Sequence, residues 1–155
     1  MLLARAYAET SNRRVVNEVL RHGKHIKTEN VSVKGWQKIY GKAISAKSPG
    51  FVQSELKLKA ERAGGSFTKF STQKTALSQT HLDGSRIKKT LSERVHRDVT
   101  GVPEHHQDLF SAFLSRSVNQ NQLVLQDAKE QYLRLEPVLL EAHQRYLTRN
   151  SRKRV

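Results

Sequence analysis

Two carboxylates and a scatter of histidines are the residues of this sequence best suited to act on a substrate. Glu29 lies in HIKTENVS (residues 25–32), two positions after Lys27, where the β-branched residues Ile26, Thr28 and Val31 predict a strand. Period two places Lys27 and Glu29 on one face and Ile26 and Thr28 on the other, and a glutamate in mid-strand runs against propensity. Asp108, in HHQDLFSAFL, falls in the first turn of a predicted helix, just before its apolar face. A strand carboxylate and a helix-start carboxylate pointing into one cleft would supply the hard oxygen ligands with which phosphodiesterases hold Mg²⁺. Each residue also has an ordinary reading, Glu29 as a solvated edge-strand side chain and Asp108 as compensation of the helix dipole. Histidines 22, 25, 81, 96, 105, 106 and 143 show no ligand spacing, and adjacent His105 and His106 do not share a helical face. No HExxH, GxSxG, P-loop or GxGxxG occurs. Gly64-Gly65 follows a predicted helix and precedes a strand, the wrong order for a phosphate-cradling turn. The absence of cysteine excludes disulfides, a thiol nucleophile and any thiolate zinc site.

The elements that must position these groups follow from periodicity. Residues 11–22 place Val15, Val16, Val19 and Leu20 on one helical stripe, with Gly23 as the residue after its end. After the strand at 25–32 comes an irregular basic stretch, 33–47, containing Trp36 and Tyr40. Ser48-Pro49 is an N-cap followed by proline at the first helical position, and the helix runs to about Ala63. It would bury Phe51, Val52, Leu56 and Ala60. SFTKFST (66–72) alternates as a second strand, so strand, helix and strand form a βαβ unit with a parallel pair. Residues 73–103 lose periodicity and read as a loop or small appended module. From Glu104 a helical face returns through Leu109, Phe110, Phe113, Leu114 and Val118. A last helical stretch, Leu123 to Leu147, is interrupted at Pro137, and a basic tail runs from Arg149 to Arg154.

Charge indicates the class of partner. Across 155 residues, 28 Lys and Arg stand against 14 Asp and Glu, a net charge of +14. The surplus is +7 in residues 1–48, +5 in 49–103 and +2 in 104–155, so it is not a property of the tail. Such an excess predicts a polyanion partner, DNA or RNA, with Lys27, Lys34, Lys38, Lys42, Lys74, Arg86, Lys88, Lys89 and Arg94 as its contacts. An acidic protein partner is the alternative. Hydrophobic residues are 36% and mean hydropathy is −0.67, which predicts a thin core and marginal stability. No apolar run is long enough to span a membrane, and the N-terminus turns polar by Glu9, leaving no room for a signal peptide.

From KTENVSVKGWQKIYGKAISAKSPG through KTALSQT to LSERVHRDVTGVPEHHQDLFSAFLSR, the chain resembles the C-terminal half of the OrfB/TnpB family. These are transposon-encoded RuvC-like proteins related to type V CRISPR effectors. The resemblance covers roughly residues 10–120. It implies an α/β, partial RNase H-like fold and metal-dependent DNA cleavage under RNA guidance. It also implies that Glu29 and Asp108 correspond to the second- and third-motif acids. The first-motif Asp would lie upstream of the first helix, so the chain reads as truncated. The family's zinc ribbon would fall at His81-Leu82-Asp83-Gly84 and Asp98-Val99-Thr100-Gly101, where the glycines remain and the thiolates do not. His81, Asp83, Asp98 and Thr100 make a poor zinc set, so no zinc is expected. Two-metal hydrolysis takes at least three carboxylates, so Glu29 and Asp108 imply at most one weakly held Mg²⁺ and no cleavage by the chain alone.

The expected organisation is an N-terminal helix (1–24), the strand-helix-strand part (25–76), a degenerate ribbon (77–103), a final RuvC-like helix (104–120) and a helical extension (121–155). The expected function is nucleic-acid binding by a degenerate transposase-like protein of the prokaryotic cytoplasm and nucleoid. The alternatives are a split endonuclease completed by a companion chain that supplies the missing Asp, or a decayed product without function.

Overall fold

A computed structural model describes residues 2–30, 49–90 and 92–153; Lys34, Lys38 and Lys42, with Trp36 and Tyr40, lie outside them. The chain is mixed α/β and divides into two compact units, Met1–Lys69 and Phe70–Val155.

In the first unit, α1 (Leu2–His22) packs on α2 (Pro49–Arg62), with β1 (His25–Glu29) and β2 (Ser66–Phe70) as a two-stranded sheet. Pro49 takes the first helical position, where its missing N–H costs nothing. Gly64, at φ 77°, ends α2 in the left-handed conformation; its N–H donates to Glu61 O and that of Gly65 to Ala60 O, a double closure of the last turn. The chain then passes so close to β1 that a Cβ on Gly65 would lie 1.9 Å from Lys24 O. The two strands start side by side: Ser66 N–H donates to Lys24 O, and His25 Nδ1 hydrogen-bonds Ser66 Oγ. Starts that meet suit the parallel sense that a helical crossover requires. Among the described residues of this unit only Val16 and Ala60 are fully buried. Phe51, Val52 and Leu56 are half-buried, and Val15 and Val19 are exposed.

The second unit has the larger core. Phe70, Leu77, Leu82, Phe110, Phe113, Leu114, Val118, Ala128, Tyr132 and Leu139 pack together. Apart from Leu82 and Val118, they come from the end of β2, a 3-10 turn (Leu77–Gln79), α4 (Gln107–Ser115) and α5 (Leu125–Lys153), and a short helix, α3 (Thr72–Thr75), links β2 to the 3-10 turn. Two small antiparallel pairs join them: β3 (Val95–His96) with β4 (His105–His106), and β5 (Val118–Asn119) with β6 (Gln122–Leu123). The helix expected over 104–120 is therefore shorter, with strand pairing on either side of it. The interruption expected at Pro137 does not occur, and α5 continues through it. Pro137 and Leu133, the residue whose carbonyl loses its partner, both face solvent, where water can satisfy that carbonyl. Among the described residues, no helix is long and apolar enough to cross a membrane.

Candidate nucleic-acid interface

The two predicted carboxylates stand on different units. Glu29 is half-buried at the end of β1. Asp108 is exposed in the first turn of α4, where its N–H donates to Nδ1 of the capping residue His106 at 3.2 Å. Lys27 lies two positions before Glu29 along β1.

The segment read from sequence as a basic loop is built round a buried polar knot. Two turns of the same form face each other, His81–Gly84 and Asp98–Gly101. In each, the glycine N–H donates to the carbonyl of the first residue, and each glycine holds a positive φ, 88° and 80°. The Asp98 side chain, with no exposed surface, links them. Its Oδ2 accepts from Leu82 N–H and from His96 Nε2–H, both at 2.8 Å. Its Oδ1 accepts from Thr100 N–H at 3.0 Å and the Thr100 hydroxyl at 2.6 Å. Burial pushes this carboxyl up, but the Thr100 hydroxyl, His96 and the N–H groups of Thr100 and Leu82 outweigh it and hold the pKa at about 2.

Lys89 continues the knot, donating to His96 Nδ1 and to Gln107 Oε1, while Gln107 Nε2 donates to Ser78 O. Because His96 Nδ1 accepts, its proton is on Nε2, as the bond to Asp98 requires. Burial lowers the pKa values of His96 and Lys89, more than Asp98 raises them. Phe110 stacks on the His96 ring at 3.9 Å. Lys89, expected as a phosphate contact, is thus tied into the interior. His105, also buried, hydrogen-bonds the Tyr132 hydroxyl through Nε2 at 2.8 Å.

His81, His96 and Asp98 place one ligand atom each within 4.8 Å of one another. Most of their donors and acceptors already have partners, while His81 Nε2 is buried without one. Asp98 accepts four hydrogen bonds, His96 Nε2 donates one of them, and His81 Nδ1 accepts from Val99 N–H at 3.1 Å. Asp83 is occupied by the N–H and hydroxyl of Ser85. A metal ion at these three residues would have to displace the bonds that Asp98, His96 Nε2 and His81 Nδ1 now make. The carboxylate of Asp98 joins the two turns by hydrogen bonding.

Two of the predicted phosphate contacts come together in a cleft of about 700 Å³ within the second unit. Arg86 Nη2 donates to Lys74 O at 2.6 Å, which seats the guanidinium beside Lys74. The β5–β6 hairpin lines the same cleft with Gln120, Asn121, Gln122 and Leu123, and Leu125 lines it as well. Among the described residues, no acidic one lines the cleft. Gly84 lies against Leu125, where a Cβ would come within 3.3 Å of Cδ2. Lys88 and Arg94 are exposed. The hairpin amides were not among the residues picked out from sequence; the Gln120-Asn121 pair between Asn119 and Gln122 is the signal, a two-residue turn without glycine. No protein-family model matches the chain, and no curated protein matches it.

Proposed function

We propose that this chain is a nucleic-acid-binding protein, a degenerate OrfB/TnpB-like transposon product that engages phosphates through its basic surface and does not cut DNA alone. What carries the proposal is the cleft that joins Lys74 and Arg86 with amide side chains and no acid, in a chain of net charge +14. The RNase H-like fold, the inherited role of Glu29 and Asp108, weak Mg²⁺ binding by them, a companion chain and a place in the prokaryotic cytoplasm and nucleoid come with the resemblance. They are part of the proposal on that ground.

The test is a salt titration of binding to a labelled DNA duplex, read by fluorescence anisotropy. Log affinity should fall linearly with log salt, by about 0.9 for each phosphate neutralised. Replacing Lys74 and Arg86 together by alanine should make the slope shallower by about 2. Affinity that stays flat with salt would overturn the proposal. Plasmid DNA incubated with Mn²⁺ should remain intact; nicking abolished by Asp108→Ala would return the chain to the endonucleases.

A further inference from the structure

We propose that the cleft beside the β5–β6 hairpin takes one unstacked nucleotide of a single-stranded nucleic acid, Lys74 and Arg86 holding its phosphate and Gln120 and Gln122 reading its base. This rests on the nucleic-acid-binding reading above and adds to it the form of the ligand.

Size is the first ground. About 700 Å³ lies within the range of pockets that enclose a small ligand, roughly 300–1,000 Å³. A duplex offers its base edges inside grooves, which only a protruding element enters, whereas a concave site takes a base that has left the stack. The second ground is the chemistry of the cleft. Lys74 and Arg86, the latter fixed by its bond to Lys74 O, line the cleft together with the carboxamides of Gln120, Asn121 and Gln122 and the apolar Leu123 and Leu125, which offer a surface for the face of a base. A carboxamide carries a donor and an acceptor side by side, which match an adenine edge.

The third ground is backbone strain. Gln120 and Asn121 form the two-residue turn at φ 49° and 61°, both left-handed. That turn favours Asn-Gly, and a glutamine at its first position costs stability. Asn121 has a structural use, accepting Ser71 N–H on Oδ1 at 2.7 Å and so pinning the hairpin to the start of α3. The glutamines are exposed at the tip. Strain retained where a simpler residue would serve is a mark of a functional position.

The test compares two single strands of equal length and charge, oligo-dA and an abasic strand, by anisotropy at one salt concentration. Their phosphate contacts are alike, so the affinity ratio isolates the base. Oligo-dA should bind about tenfold more tightly, and Gln122→Ala should bring the ratio close to one. Gln120→Gly, which keeps the turn, should lower the ratio while raising the unfolding midpoint. An abasic strand bound as tightly as oligo-dA, or a ratio untouched by both variants, would overturn the inference and leave the electrostatic reading standing. If neither strand binds at low salt, that reading fails as well.

Discussion

Replacing Asp98 by alanine tests whether a carboxylate, and not an ion, holds the two turns of the second unit together. The substitution leaves Leu82 N–H and His96 Nε2–H without an acceptor inside the protein and frees both donors of Thr100. A buried donor left unpaired costs about 1–3 kcal/mol, so with two fully buried donors the loss is about 2–6 kcal/mol. That is a large share of the 5–15 kcal/mol typical of a whole domain. The pH dependence gives a second, independent magnitude. The carboxyl is lowered from 3.8 to about 2 in the folded state, and a shift of that size corresponds to about 2 kcal/mol. Because the folded pKa is the lower one, this contribution is present in full above pH 3.8 and is lost as pH falls through 2. Urea unfolding followed by circular dichroism, for the native chain and for Asp98→Ala, reads both quantities. The stability gap should be largest at neutral pH and shrink by about 2 kcal/mol between pH 5 and pH 2. A variant within 1 kcal/mol of the native chain, or a gap that does not change with pH, would refute the reasoning. A chelator should leave the native chain unchanged; a loss with chelator as large as that of Asp98→Ala would show that an ion holds the turns.

Gly65→Ala should unfold the first unit, since the new Cβ would sit 1.9 Å from the Lys24 carbonyl oxygen; loss of amide-exchange protection in α2 and β2 is the measurement. Gly84→Ala should cost about 1–2 kcal/mol, from a left-handed φ of 88° and contact with Leu125, and urea unfolding would detect it. Burial lowers His96 and His105 below the ordinary histidine value of 6.5. Unfolded histidines therefore take up protons first, and stability should decline as pH falls below about 6.5, with both rings titrating late in NMR spectra. Gln120→Gly should raise stability by about 1 kcal/mol by relieving the left-handed glutamine, as seen in thermal unfolding.

Much of the local structure was legible from sequence, for reasons that differ by element. Proline at position 49 and the Gly64-Gly65 pair bracket α2 because both act through the backbone alone, one by lacking an N–H and the other by reaching conformations closed to other residues. The apolar face of α4 was legible through Phe110, Phe113 and Leu114, whose burial follows their spacing. What escaped is held by side chains distant in sequence. The bond from Leu82 N–H to Asp98 spans 16 residues, and Lys89 meets Gln107 across 18. No periodicity announces such pairs, and a segment ordered by them looks irregular one residue at a time. Pro137 misled for the opposite reason. Its local rule breaks a helix, but on a solvent-facing side the cost is small enough for packing of the other face to prevail.

These differences bear on where the candidate site would be found. Lys74, Arg86 and Lys89 are equivalent to a reader counting bases, yet in the structure they have separate tasks. Lys89 gives two of its three donors to His96 and Gln107, where it steadies the knot, and burial lowers its affinity for a proton. Arg86 donates with one nitrogen to Lys74 O and lines a cleft that has no acid among the described residues. In the proposed reading, net charge would bring a polyanion to the protein but would not say where it settles. The proposal assigns that choice to Lys74 and Arg86 and to the amides of a hairpin that accepts strain at the same cleft.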